Sequence, residues 1–271
     1  MINSNTSLFG LFGNPVAHSL SPVMHNRAFE ETGYNGLYLA FNIVDLSTAV
    51  KGIRALNMKG ISVTVPYKVA VMEFLDVHDD LAVKVGAVNT ISNQNGKLIG
   101  YNTDCHGAIK ALTEKTTVKD KNVAVIGAGG AARAIGTGIV LAGGKLTIYN
   151  RSTINGERLA SDLDSEFRPL SEFGRSGCQV LINTTPVGMT PNRKAMPVKS
   201  TALNKEMVVM DIVYNPLKTM LLKVAEERGA EIIDGVGMFV NQGALQFELW
   251  TDQKAPIDIM RSTVLDALKS A

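Results

Sequence analysis

The chain has 271 residues, 45% apolar and 19% charged, with a net charge of +2 at neutral pH. That balance suits a globular enzyme of one large domain or, on length, two. It leaves no basic footprint for nucleic acid and no apolar run long enough to span a bilayer. The first residues, Met1-Ile2-Asn3-Ser4-Asn5, carry no signal-peptide core. Two cysteines, Cys105 and Cys178, give no disulfide framework, and with His18, His25, His78 and His106 they show no metal-ligand spacing. The expectation is a reducing cytoplasm and no metal.

Strands and helices alternate through the first hundred residues. Residues 7–12 are a short apolar strand. Ser21-Pro22 reads as an N-cap followed by proline at the first helical position, with the helix stopping at Gly33. A second strand covers 37–41. An amphipathic helix covers 45–56, with Leu46, Ala49, Val50, Ile53 and Leu56 on one face. Residues 61–65 form a β-branched strand, and Pro66 is expected to open a helix. Residues 88–92 and 97–101 form a hairpin around Asn95-Gly96, the strongest turn signal in the chain. A βαβ start with an antiparallel end predicts a mixed sheet covered by helices.

The helix from Cys105 to about Glu114 is a bridge into a second segment. There Val123, Ala124, Val125 and Ile126 precede Gly127, Gly129 and Ala132 at the spacing G-x-G-x-x-A. An apolar strand, this turn, a helix of small residues and a further strand at 146–149 together read as a dinucleotide-binding unit. Gly127 takes backbone angles closed to side chains, Gly129 admits a pyrophosphate, and the helix start faces it with free N–H groups. Buried strands at 180–183, 207–211 and 231–233, with a helix over 216–228, extend this into a parallel, doubly wound sheet. Two helices and no strand occupy 238–271.

At the end of the second strand of the glycine unit, where an NAD enzyme has an acid, stands Tyr149-Asn150-Arg151-Ser152. A guanidinium suits a 2′-phosphate, so NADP is favoured. Lys68 is expected in the first turn of a helix, where the dipole suits a proton donor; on spacing alone an exposed lysine is the better reading. Asp104 lies at another strand-to-helix junction, where an N-cap is the commoner fate, and Ser21 has the same alternative while Ser19 does not. Asn89 sits in an apolar strand and needs a partner. Gln242 falls in a helical stripe with Met238, Leu245 and Leu249. A buried amide there is bonded either by protein or by ligand, and the sequence leaves both open.

Taken together, the chain resembles the shikimate dehydrogenase family over nearly its full length. The motifs are His18-Ser19-Leu20-Ser21-Pro22 with Met24-His25-Asn26; Val63-Thr64-Val65-Pro66-Tyr67-Lys68; Gly86-Ala87-Val88-Asn89-Thr90; Asn102-Thr103-Asp104; and the glycine loop with Asn150-Arg151. Asn183-Thr184-Thr185-Pro186, Asp211-Ile212-Val213-Tyr214-Asn215-Pro216 and Gly237-Met238 with Gln242 and Trp250 complete the set. The resemblance implies reduction of 3-dehydroshikimate to shikimate with NADPH, in aromatic amino acid (chorismate) biosynthesis. It implies Lys68 and Asp104 as the catalytic pair. Ser19, Ser21, Thr64, Asn89, Tyr214 and Gln242 are implied to hold the substrate. Gly127, Ala128, Gly129, Gly130, Ala131, Asn150, Arg151, Ser152, Ile212 and Gly235, with Asp80, are implied to bind the cofactor. It further implies a substrate domain over 1–104, a Rossmann domain over 105–236, and C-terminal helices over 237–271 returning to the first domain. The expected partner is the small-molecule substrate, with neither nucleic acid nor membrane, in a monomer or homodimer.

Two departures from the family pattern involve three positions. Ser62 stands where Asn is usual, which predicts a looser contact near the substrate. Ser152 and Asn155 stand where Thr and a second basic residue are common, which predicts a weaker grip on the 2′-phosphate unless Arg158 substitutes. The alternatives are a quinate/shikimate dehydrogenase with relaxed NAD and NADP use, against which Ser21 and Arg151 argue, and a non-catalytic NADP-binding sensor, against which Lys68 and Asp104 argue.

Overall fold

The computed structural model describes residues 2–175 and 177–270. The chain divides into two compact units, one reaching to Thr103 and resuming at Val240, the other running from Asp104 to Phe239.

In the first unit, β1 (Ser7–Gly13), α1 (Ser21–Thr32), β2 (Gly36–Asn42), α2 (Leu46–Ala55) and β3 (Gly60–Val63) follow in order. A 3₁₀ turn at Ala70–Phe74, β4 (Val77–His78), α3 (Asp80–Val85), β5 (Thr90–Gln94) and β6 (Lys97–Tyr101) come next. The sheet order is β2-β1-β3-β5-β6-β4. Strand β1 is parallel to β2 and β3, while β3, β5 and β6 run antiparallel in turn. Asn95 and Gly96, with φ of 56° and 92°, make the two-residue loop between β5 and β6 that primed hairpin turns require. Asp45 caps α2 by accepting the Thr48 N–H, and α1 stops at Gly33 in the left-handed region. The two-residue β4 and the short α3 had no periodic signal in the sequence.

The second unit opens with α4 (Thr103–Thr113), then β7 (Asn122–Ile126), α5 (Gly130–Leu141), β8 (Lys145–Asn150), α6 (Thr153–Asp162) and β9 (Glu166–Pro169). It continues through β10 (Val180–Asn183), β11 (Val208–Asp211), α7 (Met220–Glu227) and β12 (Glu231–Ile233). All its strand pairs are parallel, in the order β12-β11-β10-β7-β8-β9. Read from the other edge this is the doubly wound order 3-2-1-4-5-6, and its reversal point lies between β7 and β10. The two-residue period of the strands builds both faces. Val123 and Val125 pack with Ile135 and Ile139 of α5 on one side; Ala124 and Ile126 pack with Leu221 and Leu222 of α7 on the other. Helix α7 starts at Met220, capped by the Thr219 hydroxyl, rather than at Pro216. Pro216 instead follows a cis peptide in the loop after β11.

Helices α8 (Gly235–Thr251) and α9 (Ile257–Lys269) end the chain, and from Val240 they belong to the first unit, where α9 packs on α1. The Trp250 indole lies over Gly60, where a Cβ would collide with its ring, and its N–H donates to the Ile91 carbonyl at 3.0 Å. Phe9, Phe29, His25 and Tyr38 complete an aromatic layer around it, with the His25 and Tyr38 rings stacked 4.6 Å apart.

His25 is fully buried and neither ring nitrogen has a hydrogen-bond partner. Burial pushes its pKa down to about 3; Gln246 lies near enough to oppose this, though outside hydrogen-bond geometry. The unfolded chain therefore takes up a proton below the ordinary value of 6.5 that the folded chain refuses. Its contribution to stability is intact above that value and is lost as pH falls toward about 3. At about pH 5 the loss is roughly 2 kcal/mol, from about 1.4 kcal/mol per unit. The expected result is that His25→Phe loses about that much less than the parent chain between about pH 7.5 and 5, in urea midpoints. Parallel losses in the two proteins contradict this assignment.

Candidate active site

Among the first-unit candidates, Ser19 is bonded to Ser21 and Asn89 to Gln242. Ser19 and Ser21 lie at the start of α1, with Ser19 Oγ donating to Ser21 Oγ at 3.1 Å. Ser21 is the first residue of α1 and not its cap; Leu20 holds the cap position without a side-chain bond. The Ser21 backbone N–H donates to Ser19 Oγ instead, so Ser19 serves the helix start across Leu20. Proline at the next position needs no partner for an N–H. Tyr38, whose ring lies near Ser21, donates its hydroxyl to Ser62 at 2.7 Å. Burial raises the Tyr38 pKa, so this phenol stays protonated at neutral pH.

Asn89 is 2% exposed, and its Oδ1 accepts the Thr103 backbone N–H at 2.8 Å and the Thr90 hydroxyl at 2.8 Å. Its Nδ2 donates to Thr103 Oγ1 at 2.9 Å and to Gln242 Oε1 at 3.4 Å. The open question about Gln242 is thus answered in part, since protein supplies one of its bonds. The stripe that flagged Gln242 is not the buried face of α8, because Leu249 at its end is 38% exposed. Helix α8 is buried nearly all round in its first half, so one stripe does not describe it.

Lys68 lies in a turn before the 3₁₀ segment and not in the first turn of an α-helix. Past Val63 the chain leaves the sheet, passes through the cis Val65–Pro66 peptide and closes a turn with Tyr67 N–H on the Thr64 carbonyl at 2.9 Å. No α-helix dipole therefore acts on Lys68 from its own turn. The loop is nonetheless anchored: Thr64 N–H donates to the Phe12 carbonyl, Tyr67 hydroxyl to the Ile43 carbonyl, and Val88 N–H to the Lys68 carbonyl at 2.8 Å. Thr64 and Lys68 are half-buried. Asp80 stands exposed in the first turn of α3, beside Asp79, which caps that helix.

In the second unit, Gly127 to Ala131 follow β7 at the reversal point of the sheet, where open α/β sheets bind ligands. Gly127 has φ of 116°, and a Cβ there would lie 2.5 Å from Thr184 Oγ1. Thr184 follows β10 and donates to the Ile126 carbonyl at 2.6 Å, so the Asn183-Thr184-Thr185 motif backs the glycine turn. Gly129 is exposed, and a Cβ built on it meets nothing within 4 Å. Helix α5 starts after it with no side-chain cap, leaving backbone N–H groups for an anion. These features fit a dinucleotide pyrophosphate.

Asn150, Arg151 and Ser152 follow β8, the neighbouring strand. Arg151 is exposed, just ahead of the positive end of α6. Asn150 Nδ2 donates to the Ser152 carbonyl at 2.9 Å, and Ser152 Oγ caps α6 by accepting the Asn155 N–H. Ile212 and Gly235 are close neighbours, since a Cβ on Gly235 would lie 2.5 Å from the Ile212 carbonyl oxygen. The Tyr214 and Phe239 rings lie tilted against each other with centroids 4.5 Å apart. Asp104 is the second residue of α4, inside the helix rather than capping it, and is 5% exposed. Burial, and then the charge of Asp104, push the Cys105 thiol up to about 11, which removes it as a nucleophile at neutral pH.

Two groupings bring together residues that no sequence spacing links. Asp211 accepts Asn183 Nδ2 at 3.0 Å, the Val213 N–H at 3.0 Å and the Thr219 hydroxyl at 2.7 Å, tying the loops after β10 and β11 together. Burial raises its pKa to about 6 against the pull of those three donors. Gln246, one turn beyond Gln242, is the other, and it is 1% exposed. Among the described residues no group of three His, Cys, Asp or Glu side chains could hold a metal ion, and no helix is long and apolar enough to cross a membrane.

The family models for the shikimate dehydrogenase substrate binding domain and the shikimate 5′-dehydrogenase C-terminal domain match residues 11–91 and 235–265. The shikimate dehydrogenase (NADP(+)) of Methanocaldococcus jannaschii is 42% identical, covering 99% of both chains. The chain belongs to the shikimate dehydrogenase family. Solved relatives agree with this placement. A crystal structure of a shikimate dehydrogenase in complex with NADP+ matches with a TM-score of 0.93 at 41% identity, covering 99% of this chain and 98% of the other. The Thermus thermophilus enzyme in complex with NADP(H) and shikimate matches with a TM-score of 0.90 at 34% identity, covering 97% of this chain and all of the other.

Proposed function

We propose that this chain catalyses the reversible NADPH-dependent reduction of 3-dehydroshikimate to shikimate, in the pathway to chorismate and the aromatic amino acids. Full-length similarity to NADP-dependent shikimate dehydrogenases carries the reading. The glycine turn at the sheet's reversal point supports it. NADPH supplies the hydride for the substrate carbonyl carbon. The backbone from Gly127 to Ala131 would hold the pyrophosphate, with Asn150, Arg151 and Ser152 toward the adenosine end, Ile212 and Gly235 on the next loops, and Asp80 as a further approach.

Lys68 is proposed as the proton donor to the carbonyl oxygen, stabilising the charge that develops there, with Asp104 as the second catalytic residue. Ser19, Ser21, Thr64, Asn89, Tyr214 and Gln242 are proposed to take the carboxylate and hydroxyls, since each substrate oxygen needs a directional partner. We further infer that the enzyme works in the cytoplasm. Stoichiometric formation of shikimate as NADPH is consumed tests the reaction; NADPH consumption that is independent of 3-dehydroshikimate sinks it.

One observation favours a relaxed cofactor choice. The Ser152 hydroxyl is committed to capping α6, so Arg151 carries the 2′-phosphate with only the helix start and Arg158 a turn further on to assist. The expected result is that Arg151→Ala raises the KM for NADPH by about tenfold, as loss of a charge-assisted pair does, and leaves that for NADH nearly unchanged. Equal losses for both cofactors refute the role.

A further inference from the structure

We propose that Gln246, with Ser62 and Tyr38 behind it, is a positioning residue that works with the Thr103 N–H to hold the Asn89 amide with its Nδ2 toward Gln242, and so sets the sense of the Gln242 amide. This rests on the substrate-binding roles proposed above for Asn89 and Gln242. The directions of the bonds follow from backbone groups, which have only one polarity. Gln246 Nε2 reaches the Asn89 carbonyl oxygen at 3.3 Å, so that end of the amide is the donor, and it also donates to Thr90 Oγ1 at 2.9 Å. Its Oε1 must then accept, and the donor it meets is the Ser62 hydroxyl at 2.8 Å. With its one proton so used, Ser62 accepts from Tyr38.

Thr90, taking a bond from Gln246, gives its own proton to Asn89 Oδ1. The Thr103 N–H fixes that same oxygen as an acceptor. Asn89 Nδ2 is therefore the end that meets Gln242, and Gln242 Oε1 is turned to receive it. Gln242 Nε2 is then the donor end of its amide, the polarity that suits carboxylate and hydroxyl oxygens. Ser62, Asn89, Thr90 and Gln246 are all buried, so water does not supply a competing set of bonds. This also gives the Ser62 departure a reason. Its short side chain bonds inward to Tyr38 and Gln246, where the longer Asn that is usual in the family would need different neighbours.

The test is steady-state kinetics on Gln246→Met, Gln246→Glu and Ser62→Ala, with thermal melts alongside. Gln246→Glu keeps the shape and puts a carboxyl oxygen where the amide donated to Asn89 and Thr90, while Gln246→Met removes both polar ends without a charge. The expected result is a rise in the shikimate KM of about fivefold or more, the size of one or two neutral hydrogen bonds, with the NADP KM within about twofold of the parent. In a Gln242→Ala background the same substitutions are expected to add little, because the group they orient is gone. A shikimate KM at the parent value, with only kcat or melting temperature lowered, is the mark of a structural role and overturns the proposal. So does full additivity with Gln242→Ala. If neither Gln246 variant folds, Ser62→Ala decides by the same criteria. A parent enzyme that fails to oxidise shikimate with NADP sinks the functional reading itself, a result distinct from parent turnover with unmoved KM in the variants.

Discussion

Lys68→Ala is expected to lower kcat by about 10²- to 10⁴-fold while the KM for 3-dehydroshikimate changes little, the range typical of a lost general acid. Lys68 has no helix dipole behind it, since the chain turns at Thr64 to Tyr67 instead of starting an α-helix. What the fold supplies is a loop pinned at both ends, to Phe12 of β1 and to Val88 ahead of Asn89, so its ammonium group is presented from fixed backbone. Stopped-flow measurement of NADPH oxidation checks this without interference from product release. An unchanged rate removes Lys68 from the chemistry.

The second large effect separates two glycines of one loop. Gly127→Ala is expected to cost about 1–3 kcal/mol of stability, because φ of 116° is closed to a side chain and Thr184 stands in the way. It should raise the NADPH KM as well, since the turn it distorts carries the N–H groups proposed to meet the pyrophosphate. Gly129→Ala is expected to leave the melt unchanged, as φ of −91° is ordinary and the added methyl meets open space. It should still raise the NADPH KM by about tenfold, by blocking the close approach that the second glycine permits. The discriminating outcome is binding lost in both variants but stability lost only in the first. A Gly129→Ala protein with the parent's NADPH KM contradicts the placement of the pyrophosphate.

The glycine turn was legible because its strand, turn and helix each carry a local pattern, and sequence spacing alone sets them. The doubly wound second sheet followed from the same alternation. Lys68 was misplaced because Pro66 is a common first helical residue, and the tertiary pull on the loop from Phe12 and Val88 leaves no trace in local spacing. Asp104 and Ser21 were each read one or more residues off their helix starts for the same reason: a cap is fixed by where the preceding backbone is held. Gln246 was invisible for a different reason. It belongs to a network whose members, Tyr38, Ser62, Thr90 and Gln246, are far apart in sequence, and no local spacing ties Gln246 to the other three. Edge strand β9 reads Glu-Phe-Arg-Pro, too short and polar to show a strand period.

The central claim is that this chain is an NADP-dependent enzyme acting on shikimate, with Arg151 choosing the cofactor and Ser21 standing in the substrate set. Initial rates with shikimate or quinate, each paired with NADP or NAD, test it most directly. The account predicts the highest kcat/KM for shikimate with NADP, a reduced value for shikimate with NAD, and little turnover of quinate with either. A preference for quinate with NAD, or no turnover by a folded protein that binds NADP, contradicts it.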